Sequence, residues 1–248
     1  MKKLLLSAFV ICLAGTSIAQ ESPLWMRHCA LSPDGTTIAF TYKGDIYTVP
    51  STGGRATQIT TNPAFDTEPV WSPDSKQIAF ASDRMGSLDV FVVSSEGGAP
   101  QRLTTHSGSE KPVAYKDNKH ILFTANIAPS AEDAGFPSGQ FQQVYEVAVT
   151  GGRPAMFSSM PMECISINKE GVMLYQDKKG YEDYWRKHQV SPIARDIWTY
   201  TPGKKPVYQK QTTFGGEDRE PVWSPDGKSF YYLSEEKGSF NIFQRTPG

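Results

Sequence analysis

Hydrophobic positions along this chain fall into short runs of strand length, each closed by Gly, Pro, Asp or Asn. TIAFTY (37–42), QIAFAS (77–82), HILFTA (120–125) and SFYYLS (229–234) mix β-branched and aromatic residues. Each is followed by a second such run, DIYTV, DVFVV, QVYEVAV, DIWTY or NIFQR, and is preceded by a segment such as EPVW or KPVAY. Runs of this length and composition, bounded by turn residues, predict β-strands. No stretch sustains a 3.6-residue period between the breakers, so no long helix is expected.

The strands recur as a phrase. Trp71 to Thr104 is its clearest copy, Trp223 to Gly248 repeats its head, and a weaker copy starts at Leu31. The Asp of the Ser-Pro-Asp turn marks the repeat at Asp34, Asp74 and Asp226. Asp117 takes the same place in the third unit, and Lys169 takes it in an eroded fourth whose Tyr175 stands for Phe80. Gly-Gly pairs at 53–54, 97–98 and 151–152 lead into polar fourth strands and favour the positive-φ turns that match strand twist. Intervals of 40, 43, 52 and 57 residues between anchors fit the four-stranded blades of a β-propeller. The fold expected is therefore all-β, a propeller of about four and a half blades. The blades are placed at about 24–61, 66–105, 110–158, 162–213 and 218–248. An open propeller edge leaves strand groups unpaired, so six blades are expected in the complete ring and residues 20–248 are read as an incomplete domain.

The repeat register nominates a site. Six residues before each anchor stand His28, Glu68, Lys111, Glu163 and Glu220, which would form a polar ring at one mouth of the central channel. Ordinary solvated turns are the plainer explanation for the same residues. Two insertions lengthen the link between second and third strands, at Ala128–Gln140 and Lys178–Arg195, on the ring's side of the disc. Tyr181, Tyr184, Trp185, Arg186 and His188 in the second are residue types that anchor interfaces, unless they fold back on a neighbouring blade. Cys29 and Cys164 fall in opposed blades and are expected to stay free, packed as small hydrophobes.

Composition narrows the functions. Lys plus Arg number 25 against 26 acidic residues, so there is no electrostatic footprint for nucleic acid. Lys2-Lys3, the apolar Leu4–Ala14 and Ser17-Ile18-Ala19 read as a signal peptide at 1–19, cleaved after Ala19. A periplasmic or secreted chain without a membrane span is then expected. There is no G-x-S-x-G elbow, no H-E-x-x-H, no zinc-spaced cysteine pair and no phosphate-cradling loop. No catalytic residue, metal or cofactor is assigned, and His120, which replaces Gln77 in the register, reads as structural.

The Trp-Ser-Pro-Asp-Gly phrase resembles the propeller repeats of TolB and of tricorn-type proteases. The insertion KGYEDYWRKHQVSPIARDIW (179–198) resembles the early-propeller segment of tricorn-like serine peptidases. That resemblance implies a non-catalytic propeller that filters or channels peptides to a serine-peptidase domain outside these residues. Its partners would be the remaining domains of the same polypeptide and peptide substrates. The alternatives are a TolB-like scaffold binding envelope proteins and the propeller of a prolyl-oligopeptidase-type hydrolase. The sequence is also compatible with a homo-oligomer.

Overall fold

The computed structural model describes residues 25–127, 141–180 and 190–248. Among these residues every regular element is a β-strand, and the strands form five consecutive antiparallel meanders. Blade one holds β1 (Arg27–Leu31), β2 (Thr37–Tyr42), β3 (Asp45–Pro50) and β4 (Thr57–Gln58). Blade two holds β5 (Asp66–Trp71), β6 (Gln77–Ser82), β7 (Asp89–Ser94) and β8 (Gln101–Arg102). Blade three holds β9 (Lys111–Asp117), β10 (His120–Ala125), β11 (Gln143–Ala148) and β12 (Ala155–Ser158). Blade four holds β13 (Met162–Ile167), β14 (Met173–Asp177), β15 (Ile197–Thr201) and β16 (Val207–Lys210). Blade five shows three strands, β17 (Asp218–Trp223), β18 (Phe230–Ser234) and β19 (Asn241–Arg245). The all-β propeller and its blade count agree with the strand periodicity of the sequence.

The Ser-Pro-Asp turns are structural. Ser72 Oγ donates to Asp74 Oδ1 at 2.7 Å, and the Lys76 amide donates to the same oxygen at 3.2 Å. Asp34 and Asp226 repeat the arrangement, so each carboxylate closes its own turn as an Asx motif. The serine hydroxyls, first among the causes at Asp34 and Asp226 and at Asp74 alike, hold these carboxyls below the usual carboxylate range.

Adjacent blades meet through apolar clusters, one at each interface. Trp71, Ile78, Phe80 and Phe91 of blade two pack on Ala39, Ile46 and Ile59 of blade one. Ala79, Val90 and Val92 meet Tyr115, Ile121, Phe123, Tyr145 and Val147 between blades two and three. Hydrogen bonds tie the same interfaces. The Asp66, Glu110 and Asp218 amides, each at the start of a blade, reach back to the Gly44, Leu88 and Arg195 carbonyls at 2.7, 2.7 and 3.1 Å. Trp71 Nε1 donates to the Ala30 carbonyl at 2.9 Å, which satisfies the indole within the core. On blade five, Val222, Tyr231 and Ile242 are the counterparts of Val70, Ala79 and Val90 by strand pairing. They are exposed, and no blade covers them among the described residues.

Strand pairing also corrects the repeat register. In blades one, two and five, six residues separate the last pair of the first hairpin, as between Trp71 and Ile78. In blade four five residues separate that pair, Ile167 and Met173, and in blade three five separate the equivalent Tyr115 and Ile121, beyond which Asp117 and His120 pair again after a register shift. Their turns are one residue shorter, so counting back from Asp117 or Lys169 overshoots by one. Tyr175 nonetheless matches Phe80, because the missing residue lies before the second strand.

Candidate functional site

The first strands of consecutive blades touch one another, β1 on β5, β5 on β9, β9 on β13 and β13 on β17, which makes them the innermost strands of the ring. Each carries a break in register where two residues oppose one. The first bulged residue has a positive φ at His28 (50°), Glu68 (55°), Cys164 (51°) and Glu220 (54°). β-bulges re-aim side chains in this way at rims and sites. A cavity of about 550 Å³ opens beside them, lined on blades one to four.

His28, Glu68, Lys111 and Glu163 all line this cavity, and so do Cys29 and Cys164. Glu220 is not among the lining residues, although its amide donates to Gln176 Oε1 at 2.7 Å just alongside. The ring is therefore not one of equivalent positions. Glu163 and Lys111 are the counterparts of Thr67, and the true bulge positions in blades three and four belong to Pro112 and Cys164. Pro112 does not match Pro69; it stands one place earlier, where blade two has Glu68. The two cysteines are likewise not equivalent. Both are free, as expected, but both are exposed to the cavity and not packed as core residues.

The charged groups here are paired. Lys111 Nζ meets Glu68 Oε1 at 2.7 Å across the boundary of blades two and three. Glu163 gathers Lys178 (3.0 Å), Arg195 (3.1 Å) and Gln176 (3.0 Å), and Arg195 also binds Glu217 at 2.8 Å. Burial would raise the Glu163 carboxyl, but these hydrogen bonds and cations outweigh it and hold the group below its ordinary value. Although the Cys164 thiol is open to the cavity, the surrounding walls desolvate it, and this, followed by the charges of Glu220 and Glu163, pushes it up to about 12. Gln176, Lys178, Arg195 and Glu217 escaped the repeat-based reading because they come from a second strand, a loop and an inter-blade link. Lys178 and Arg195 were visible only as the ends of an insertion. Gln142 and Lys178 place the flanks of both insertions on the cavity wall. Tyr181, Tyr184, Trp185, Arg186 and His188, like the segment 128–140 and the signal region 1–19, lie outside the described residues.

No group of three or more metal-ligating side chains clusters among the described residues. No helix among them is long and apolar enough to cross a membrane. Among the described residues, paired charges stand over apolar walls around this cavity.

Fold and site define a β-propeller domain with a central cavity. The chain belongs to the family of tricorn protease N-terminal beta propeller domains, which it matches over residues 23–248. It is 39% identical over 213 residues to tricorn protease homolog 1 of Streptomyces coelicolor, covering 85% of this chain but 19% of that protein. The chain thus spans about a fifth of that relative's length. The crystal structure of the tricorn protease superposes with a TM-score of 0.71 at 17% identity, over 91% of this chain and 22% of that one. TolB from Acinetobacter baumannii superposes with a TM-score of 0.63 at 18% identity, over 89% and 51% respectively. At such identities these two likenesses concern the fold.

Proposed function

We propose that this chain is the non-catalytic propeller of an exported, tricorn-like serine peptidase, and that its central cavity admits unfolded peptides on their way to a catalytic domain. The observation that carries the reading is the cavity at the convergence of the innermost strands, with apolar walls (Val70, Pro112, Val113, Met162) and a rim of paired charges. Apolar walls suit side chains of an extended segment, and few polar groups suit its orientation. Membership of the tricorn propeller family supports the peptidase assignment. The uncovered Val222–Tyr231–Ile242 face supports a further blade of the same repeat lying against it. Export rests on the signal-like residues 1–19.

A fluorescent, unstructured peptide titrated with the chain should show saturable anisotropy without hydrolysis. Cys29→Trp, which narrows the cavity from an exposed position, should weaken binding at unchanged thermal stability. Peptide cleavage by the chain alone, or binding indifferent to Cys29→Trp, contradicts the proposal. Likeness to TolB favours a second reading, a scaffold for folded envelope proteins. That reading requires binding of a folded partner with no affinity for unfolded peptides.

A further inference from the structure

We infer that the uncovered faces of blades five and one are the two walls of one slot for a single further blade, and that charge selects the blade that fits. That blade carries Lys or Arg in its first strand opposite Glu220, and Asp or Glu at its own bulge opposite Arg27. This rests on the further blade proposed for blade five and is independent of peptide admission. The boundary of blades two and three supplies the pattern. There the bulged Glu68, with φ at 55°, pairs with Lys111 of the following blade at 2.7 Å. Glu220 repeats Glu68 in residue type, bulge and φ (54°), yet its exposed carboxylate makes no ion pair or hydrogen bond among the described residues. Arg27, Lys111 and Arg219 share one register position, opposite Thr41, Thr124 and Leu233. The Arg219 guanidinium lies over the Phe240 ring, 4.0 Å from its centroid. Arg27 is exposed beside the Trp25 ring at 5.3 Å and makes no ion pair among the described residues. Blade five thus presents the acidic half of a Glu68–Lys111 type of pair, and blade one presents the basic half.

Packing and backbone bonds are open at the same two faces. Ile242 is 75% exposed where its counterpart Val90 is wholly buried, and Leu31 is 58% exposed where its counterpart Trp71 is 9%. The Phe240 carbonyl holds the place of the Gly44 and Leu88 carbonyls, which receive the first amides of blades two and three. It receives no backbone amide among the described residues. Apolar faces accept many partners of fitting volume, whereas a charge at the rim rejects a partner of the wrong sign and fixes its register.

Alkylation of an introduced thiol reads the slot. Ile242→Cys is treated with neutral iodoacetamide in this chain and in the longer parent polypeptide, and peptide mass spectrometry separates its reaction from that of the native thiols. In the chain it should react at nearly the rate of free cysteine, with or without Glu220→Gln. In the parent it should react slower by about tenfold or more, because the thiol is reached only when the covering blade opens. Glu220→Gln should raise the parent's rate about two- to fivefold, added salt should do the same, and the two effects should not add. Arg27→Gln should act likewise on Leu31→Cys. A parent in which alkylation is slowed but indifferent to Glu220→Gln and to salt keeps the further blade and overturns its selection by charge. So does a next blade that lacks Lys or Arg at the Lys111 position. Equal rates in chain and parent overturn the further blade itself, and with it the slot.

Discussion

The interface of blades two and three and that of blades four and five occupy equivalent places in the ring but are built from different materials. Ten buried apolar residues, Phe123 and Ile121 among them, fill the first, whereas the second buries four: Leu174, Ile197, Phe230 and Tyr232. Where blade two has Val70 and Ala81, blade four has Ser166 and Gln176. Ser166 Oγ accepts from the Trp223 amide at 3.2 Å, and Gln176 bridges Glu163 and the Glu220 amide. Apolar packing is tolerant of partners of the right volume, but buried polar groups must find particular ones. The repeat thus spends its apolar interfaces on holding the ring and its polar one on shaping the mouth.

That contrast can be broken at its apolar side first. Phe123 is wholly buried, so Phe123→Ala should cost about 3–5 kcal/mol, read as the shift in urea midpoint at constant slope. Tyr232→Ala, at the equivalent position in the thinner interface, should produce a smaller shift. Equal losses would mean that the two interfaces are energetically alike.

The blade two–three interface carries one misplaced charge. Glu110 is fully buried, and burial together with the neighbouring Asp89 carboxylate raises its pKa to about 6 from 4.5. A carboxyl that binds its proton more tightly when folded contributes stability below the unfolded value, and this is lost as the pH rises through about 6. Glu110→Gln should therefore stabilise the chain at pH 7 by up to about 2 kcal/mol, and by nothing below about pH 4.5. Melting temperatures at both pH values check this, and a loss at pH 7 would contradict it. On the polar side, Arg195→Met frees Glu163 and Glu217 from a half-exposed ion-pair network. We expect a loss of about 1 kcal/mol that shrinks with added salt. A salt-independent loss would assign the role of Arg195 to its packing.

Strands, turns and blade order were legible because each rests on local chemistry: period-two apolar runs, Asx turns at Asp34, Asp74 and Asp226, and paired glycines such as Gly97-Gly98. The family was legible in the Trp-Ser-Pro-Asp-Gly phrase taken with the more specific 179–198 insertion. The one-residue shortening in blades three and four was not, because an apolar strand absorbs a deletion in its turn without altering its pattern. Half of the mouth's chemistry was hidden for a different reason. Gln176, Arg195 and Glu217 converge on Glu163 only after four strands and a link have folded, and the repeat phrase marks none of the three as a partner for it. The acidic residues that begin blades, Asp66, Glu110 and Asp218, were visible two places before Glu68, Pro112 and Glu220, but nothing local marked them as buried.

Peptide admission through the central cavity is tested most directly at its two native thiols, Cys29 and Cys164, which both face it. Their alkylation rates, followed by mass spectrometry as an unstructured peptide is titrated, should fall together and saturate with the binding curve. A peptide that binds while both thiols react at undiminished rates lies elsewhere on the propeller, and the cavity would not be its path.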